Sequence, residues 1–208
     1  MPQVFHKKEP SREIIVWKID EPISFFQSRL PMELQALPSD DEARNAEYLA
    51  SRYLLTLLVP EIIVASDSNK KLQMVNDHRY ISISHTKGLA ASMVSHEACG
   101  IDIEMDLPRI TKIASKFNLP HDLEMLQGTD YQQNLYTVWC AKEAMYKAYG
   151  LGGIDFKNHL RVELEAMKLN KSTFTGLLKN AVADIRFTLH YEYIQQSIHL
   201  VYGEIISA

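Results

Sequence analysis

Cys99-Gly100-Ile101-Asp102-Ile103-Glu104 alternates apolar and acidic residues, the pattern of a strand with two unlike faces. Side chains switch faces at every residue of a strand, so Ile101, Ile103 and Met105 share one face and Asp102 and Glu104 the other. The two carboxylates are then one pleat repeat apart, roughly 6–7 Å along the backbone. At that spacing they repel, and a divalent cation between them removes the cost. Taken alone, the pattern also fits a half-buried strand whose outer face is acidic.

A second strong signal follows Asp130. Gln133 stands at the capping-box position, Gly150 is a natural terminator, and Val138-Trp139-Cys140-Ala141-Lys142-Glu143-Ala144-Met145-Tyr146-Lys147-Ala148 is rich in helix formers. Trp139, Glu143 and Lys147 are four apart and share one helix face. An i,i+4 Glu–Lys pair worth a few tenths of a kcal/mol would account for that spacing by itself. Combined with the acidic strand it means more. Asp102, Glu104 and Glu143 supply three carboxylates, and Lys142 and Lys147 two cations. An all-oxygen donor set favours Mg²⁺, which keeps several waters and binds substrate phosphates alongside one or two carboxylates. The lysines would neutralise those phosphates, with His85, Lys70 and Arg52 as further candidates. The chemistry such a set supports is phosphoryl transfer.

The rest of the chain sets the frame. Of 208 residues, 46% are hydrophobic and 23% charged, a globular rather than disordered balance. A net charge of −4 gives no general attraction to nucleic acid. Two cysteines, Cys99 and Cys140, are too few for a disulfide framework or a zinc site and suit a reducing cytoplasm. The polar start, Met1 to Pro10, lacks a signal-peptide apolar region, and Leu54 to Ala65 is too short and interrupted to span a membrane.

Glu13 to Ile19 reads as a first strand, and Ser39-Asp40-Asp41-Glu42 as a capping box opening a helix to about Leu58. Its expected buried stripe is Ala43, Ala46, Ala50, Leu54, Leu57 and Leu58. Short strands are expected over Ile62 to Ala65, Leu72 to Val75, Arg79 to Ser84 and Leu89 to Ser95, with Ser84-His85-Thr86-Lys87-Gly88 as an anion-friendly loop or a plain hairpin turn. Ile110, Ile113, Ala114 and Phe117 recur at helical spacing beside Arg109, Lys112 and Lys116: a surface helix, or a docking face for an acidic helix. The C-terminal third predicts strands at Arg161 to Leu164, Phe187 to Tyr193 and Ile198 to Tyr202, the last two a hairpin across Gln195-Gln196. Each half thus offers one long helix and several strands, an α+β fold in two similar halves, 1–106 and 107–208.

Gly100-Ile101-Asp102-Ile103-Glu104 followed by Trp139-Cys140-Ala141-Lys142-Glu143-Ala144-Met145-Tyr146-Lys147 resembles the paired signature of the 4′-phosphopantetheinyl transferases, in the larger, monomeric surfactin-type branch. The resemblance is specific in these segments and in Ser84-His85, and loose after Gly150. It implies two α+β halves related by a pseudo-two-fold axis, with coenzyme A in the cleft between them. Asp102, Glu104 and Glu143 would hold Mg²⁺, and Glu143 would be the base acting on a carrier-protein serine. Lys142 and Lys147 would stabilise the pyrophosphate, Ser84 and His85 would contact it, and Arg52 would take the 3′-phosphate. The family's Gly-Lys-Pro is replaced by Asn69-Lys70-Lys71, leaving Lys70 for its lysine. Arg109, Lys112, Lys116 and Phe117 would dock an apo acyl carrier protein, and the arm of coenzyme A would pass to its serine with release of 3′,5′-ADP. A non-catalytic binder of coenzyme A or a carrier on the same fold is the alternative. A metal-dependent nuclease is a further one, although it would want a basic face this acidic chain does not offer.

Overall fold

The computed structural model describes residues 2–66, 71–165 and 172–207. The chain opens with a hairpin, β1 (Gln3–Glu9) and β2 (Arg12–Lys18), then α1 (Ile23–Gln27), a 3₁₀ turn at Met32–Leu34 and α2 (Glu42–Leu58). β3 (Val64–Ser66) and β4 (Leu72–Met74) form a small ribbon. β5 (Tyr80–Thr86), β6 (Leu89–Ser95) and β7 (Cys99–Met105) precede α3 (Ile110–Phe117), α4 (Pro120–Leu126) and α5 (Tyr131–Tyr149). β8 (Leu160–Val162), β9 (Thr173–Lys179), β10 (Asp184–Ile194) and β11 (Ile198–Ser207) complete it.

The larger strands form two antiparallel sheets, ordered β1-β2-β6-β5 and β7-β11-β10-β9-β8. Strand alternation sorts their side chains into three cores. Ile15, Ile81, Ala90 and Val94 pack under Leu49, Leu54 and Leu55 of α2. Ile14, Val16, Leu89, Ala91 and Met93, from the opposite face of that sheet, meet Ile101, Ile103, Leu200 and Tyr202 of the second. The far face of the second sheet, with Phe187, Leu189 and Val201, receives Ala141, Ala144 and Met145 of α5. The layers therefore run helix, sheet, sheet, helix.

β7 belongs to the second sheet, where Asp102 faces Val201 and Glu104 faces His199 of β11. Its ladder partner, β11, is the last strand of the chain. Along its other edge β7 meets β5. Ser82 Oγ accepts from Ile101 N at 3.1 Å and Ser84 Oγ from Ile103 N at 3.4 Å, so side-chain hydroxyls stand where a neighbouring strand's carbonyls would. On the helix-facing side, Gly100 lets α5 lie directly on β7. A Cβ there would sit 1.8 Å from Ala144 O.

Other local expectations shift by a residue or two. The N-cap of α2 is Asp41, which accepts from Arg44 N at 3.2 Å, while Ser39 Oγ accepts from Asp41 N. The helix buries Leu49, Ala50, Ser51, Leu54, Leu55 and Leu58 and leaves Ala43 and Leu57 exposed, because turning Leu49 and Leu55 inward buries more apolar area than two alanines would. α5 ends as expected, with Gly150 at φ 75° in the left-handed region.

Candidate active site

The face of β7 that carries Gly100, Asp102 and Glu104 points at α5, and the hydroxyl stripe of β5 closes on it from the side. Lys147 Nζ donates to Asp102 Oδ1 at 2.7 Å, to Ser84 Oγ at 2.9 Å and to Ile101 O at 2.9 Å. Ser84 Oγ donates to the same Asp102 oxygen at 2.8 Å. One pleat repeat along, Thr86 Oγ1 donates to Glu104 Oε2 at 3.1 Å, Arg109 approaches that oxygen at 3.4 Å, and Trp139 Nε1 donates to Oε1 at 3.3 Å. Each β7 carboxylate is therefore oriented by a hydroxyl of β5 and a side chain of α5.

Glu143 lies one turn before Lys147 and makes no hydrogen bond or ion pair among the described residues. Its carboxyl is pushed up to about 7, mainly by burial and then by the charge on Asp102, with Lys147 pulling the other way. Glu104 is raised as well, by burial first and the Asp102 charge second. Asp102 Oδ2 is buried and has no hydrogen-bond partner among the described residues. Also among those residues, no three His, Cys, Asp or Glu side chains stand close enough together to hold a metal ion. The chemistry of the donors nevertheless fits a hard divalent cation. It would satisfy the orphaned Asp102 oxygen and relieve the repulsion that raises Glu104 and Glu143.

Beside this cluster a cleft of about 390 Å³ opens between the two sheets' helices. Arg52, Ser66, Lys71, Leu72 and residues 81–83 line one wall, and Tyr146, Lys147, Gly150 and Gly152 the other. Three cations face one space. Arg52 stacks its guanidinium 3.3 Å over the Tyr48 ring and donates to Tyr48 O at 3.0 Å, with no carboxylate partner among the described residues. Burial lowers its affinity for the proton. Lys71 reaches across the cleft, its Nζ 3.2 Å from Ala148 O near the C-terminus of α5.

The sequence-derived candidates divide accordingly. Asp102, Glu104, Glu143, Lys147 and Ser84 come together, and Arg52 lines the adjoining cleft. Lys70 lies outside the described residues. Lys142 does not join them: it is 2% exposed, and its Nζ donates to two backbone carbonyls, Phe117 O at 2.5 Å and Phe156 O at 2.8 Å. Neighbours on a helix point about 100° apart, so Lys142 faces elsewhere when Glu143 faces β7. Phe117, expected on a docking face, is 1% exposed and packs edge-on against Trp139. His85 sits inside β5, not in a loop, and its ring points to α2, where Nδ1 lies 3.3 Å from Glu47 Oε2.

Thr86, Lys71 and Glu47 went unread as site residues. For Thr86 a signal existed: Ser82, Ser84 and Thr86 recur at the strand period.

The chain spans a match to one family model, that of the 4′-phosphopantetheinyl transferase superfamily, over residues 98–201. That stretch is half of the chain and includes β7, α5 and all three carboxylates. No curated protein matches the chain.

Proposed function

Because the chain belongs to the 4′-phosphopantetheinyl transferase superfamily, we propose that it transfers the phosphopantetheine arm of coenzyme A to a serine of an apo acyl or peptidyl carrier protein, dependent on Mg²⁺. The observation that carries this reading is the meeting of Asp102, Ser84 and Lys147 at the wall of a cleft lined by Arg52 and Lys71. Carboxylates for a metal stand beside a space that the cations for phosphates line.

In this reading Arg52, Lys71 and Lys147 hold the phosphates of coenzyme A, with Ser84 and His85 beside them and Lys70 as a further contact. Asp102, Glu104 and Glu143 would hold Mg²⁺, which would supply charge stabilisation to the phosphates. Glu143 takes the proton from the carrier serine as its oxygen bonds to the phosphorus. The bond to the second phosphate breaks, and 3′,5′-ADP leaves with the electron pair. Lys147 pairs with Asp102 at 2.7 Å and holds its carboxylate in place.

Arg109, Lys112 and Lys116 offer an acidic carrier helix a basic face at α3, while Phe117 supports that helix from below. We further read the halves as related by a pseudo-two-fold axis, each a long helix on an antiparallel sheet, in a cytoplasmic monomer of the surfactin-type branch. Among the described residues no helix is long and apolar enough to cross a membrane.

The test is the intact mass of several apo carrier proteins after incubation with this protein, coenzyme A and Mg²⁺. A gain of one phosphopantetheine, abolished by EDTA and by Glu143→Ala, is the expected outcome. Coenzyme A binding without transfer to any carrier would refute it in favour of a non-catalytic binder. Charge reversal at Arg109, Lys112 and Lys116 should raise KM for the carrier and leave that for coenzyme A nearly unchanged.

A further inference from the structure

Glu47 is the one carboxylate of α2 turned toward the β5–β6 hairpin. It is 15% exposed at the side chain and makes two contacts. Oε1 accepts from Gly88 N at 2.9 Å and Oε2 lies 3.3 Å from His85 Nδ1. A carboxylate only accepts, so Nδ1 carries the hydrogen, which leaves Nε2 as the ring atom available to a ligand. Gly88, at φ +76° in the two-residue turn, is also tied to the first sheet through its carbonyl, which accepts from Ile19 N at 2.8 Å. Glu47 thus fixes both the ring and the turn that follows it.

The charges around the ring are mixed. Glu47 and Arg52 face it from α2, and Lys147 from α5. Burial lowers its affinity for the proton most, Glu47 raises it, and Lys147 and Arg52 lower it. Both of those cations line the cleft, and His85 follows Ile81 and Ile83 of its wall on the same face of β5.

We propose that Glu47 is a positioning residue for anion binding: it holds His85 by Nδ1 so that Nε2 is presented, with its proton, to a phosphate of the ligand. The proposal rests on the coenzyme A reading above for the identity of that phosphate. In the free protein burial and the two cations hold the ring below the ordinary histidine range, Glu47 offsets this only in part, and an anion at Nε2 would favour the proton there. The logic is that of a carboxylate orienting a histidine that binds a metal or a nucleophile, applied to an anion.

The test follows the histidine ring by NMR, assigned through His85→Asn, across pH 5 to 9 in the unsubstituted protein and in Glu47→Gln. The amide oxygen of Gln can still accept from Gly88 N, so the fold should hold, which thermal unfolding checks. Coenzyme A affinity is measured by calorimetry in both proteins and in the same pair carrying His85→Asn. Glu47→Gln should make His85 titrate at lower pH and weaken coenzyme A about tenfold near neutrality, the lower range for losing a group that orients a ligand-binding ring. In the His85→Asn background the same change should cost little. An unaltered His85 titration would overturn the proposal, as would an equal loss of affinity in both backgrounds, which would mean that Glu47 acts only through the turn. If coenzyme A does not bind at all, inorganic pyrophosphate is the probe. Pyrophosphate that perturbs His85, less so in Glu47→Gln, supports the proposal and removes only the coenzyme A reading. Pyrophosphate that leaves the ring unperturbed sinks both.

Discussion

Gly100→Ala is the sharpest test of how the site is built. The added methyl would lie 1.8 Å from Ala144 O and 2.8 Å from both Ala144 C and Ala148 N. All three are backbone atoms of α5, so no side chain can rotate out of the way. Reaching an ordinary 3.4 Å contact requires helix and strand to part by about 1.6 Å along that line. The same helix carries Glu143 and Lys147, and the 2.7 Å Lys147–Asp102 contact would be pulled beyond hydrogen-bonding range. Overpacking against side chains costs about 1–3 kcal/mol, and a collision with rigid backbone belongs at or above the upper end. At about 3 kcal/mol the midpoint of thermal unfolding should fall by roughly 6–12 °C for a chain of this size. Gly88→Ala is the control: φ is +76° but nothing lies within 4 Å of the new Cβ, so only left-handed strain of about 1 kcal/mol is expected. Urea unfolding of both variants, with carrier loading measured on whatever remains folded, decides the matter. Gly100→Ala within about 0.5 kcal/mol of the parent, or no worse than Gly88→Ala, would refute the close approach of α5 to β7.

The titration of Glu143 gives a stability test: its carboxyl moves from 4.5 to about 7 on folding, so its contribution is full below 4.5 and lost as pH rises through 7. Glu143→Gln should therefore be more stable than the parent at pH 8, by about 1–3 kcal/mol, and no more stable at pH 4; urea unfolding showing the reverse order would contradict the burial argument. Mg²⁺ should raise the unfolding temperature of the parent and alter the fluorescence of Trp139, whose Nε1 donates to Glu104, in a protein carrying Trp17→Phe; Asp102→Asn should lose both responses. Lys147→Met should cost about 3 kcal/mol, since it strands Asp102 without its cation, and Asp102→Asn should recover part of that loss. Lys142→Met should lower stability while leaving KM for coenzyme A unchanged; a large rise in KM would return Lys142 to the phosphate site.

Legibility in the sequence followed the range of each interaction. The strand period alone put Asp102 and Glu104 on one face, and the helix period put Glu143 and Lys147 on another, because both repeats are set by backbone geometry. The same reasoning, pressed one residue further, excludes Lys142, which lies about 100° around α5 from Glu143. Non-local pairing was not legible. Nothing in Cys99 to Met105 says that its ladder partner is the last strand of the chain. β1 was hidden for a related reason: its seven residues are exposed or half-buried and hold a strand only because β2 pairs with them.

The hydroxyl stripe is the most instructive case, since the information was present and was misread. Ser84-His85-Thr86-Lys87-Gly88 consists of turn formers, and a five-residue loop would scatter their side chains. In the structure the turn is only Lys87-Gly88, and the strand runs on through Thr86. That extension sends Ser84 and Thr86 toward the two carboxylates of β7 and His85 the opposite way, toward Glu47 and α2. One hairpin thereby serves two charge environments: hydroxyls that orient the acids on one face, and a histidine among cations on the other. The length of a turn, more than the identity of any residue in it, decides which of those groups a ligand in the cleft would meet.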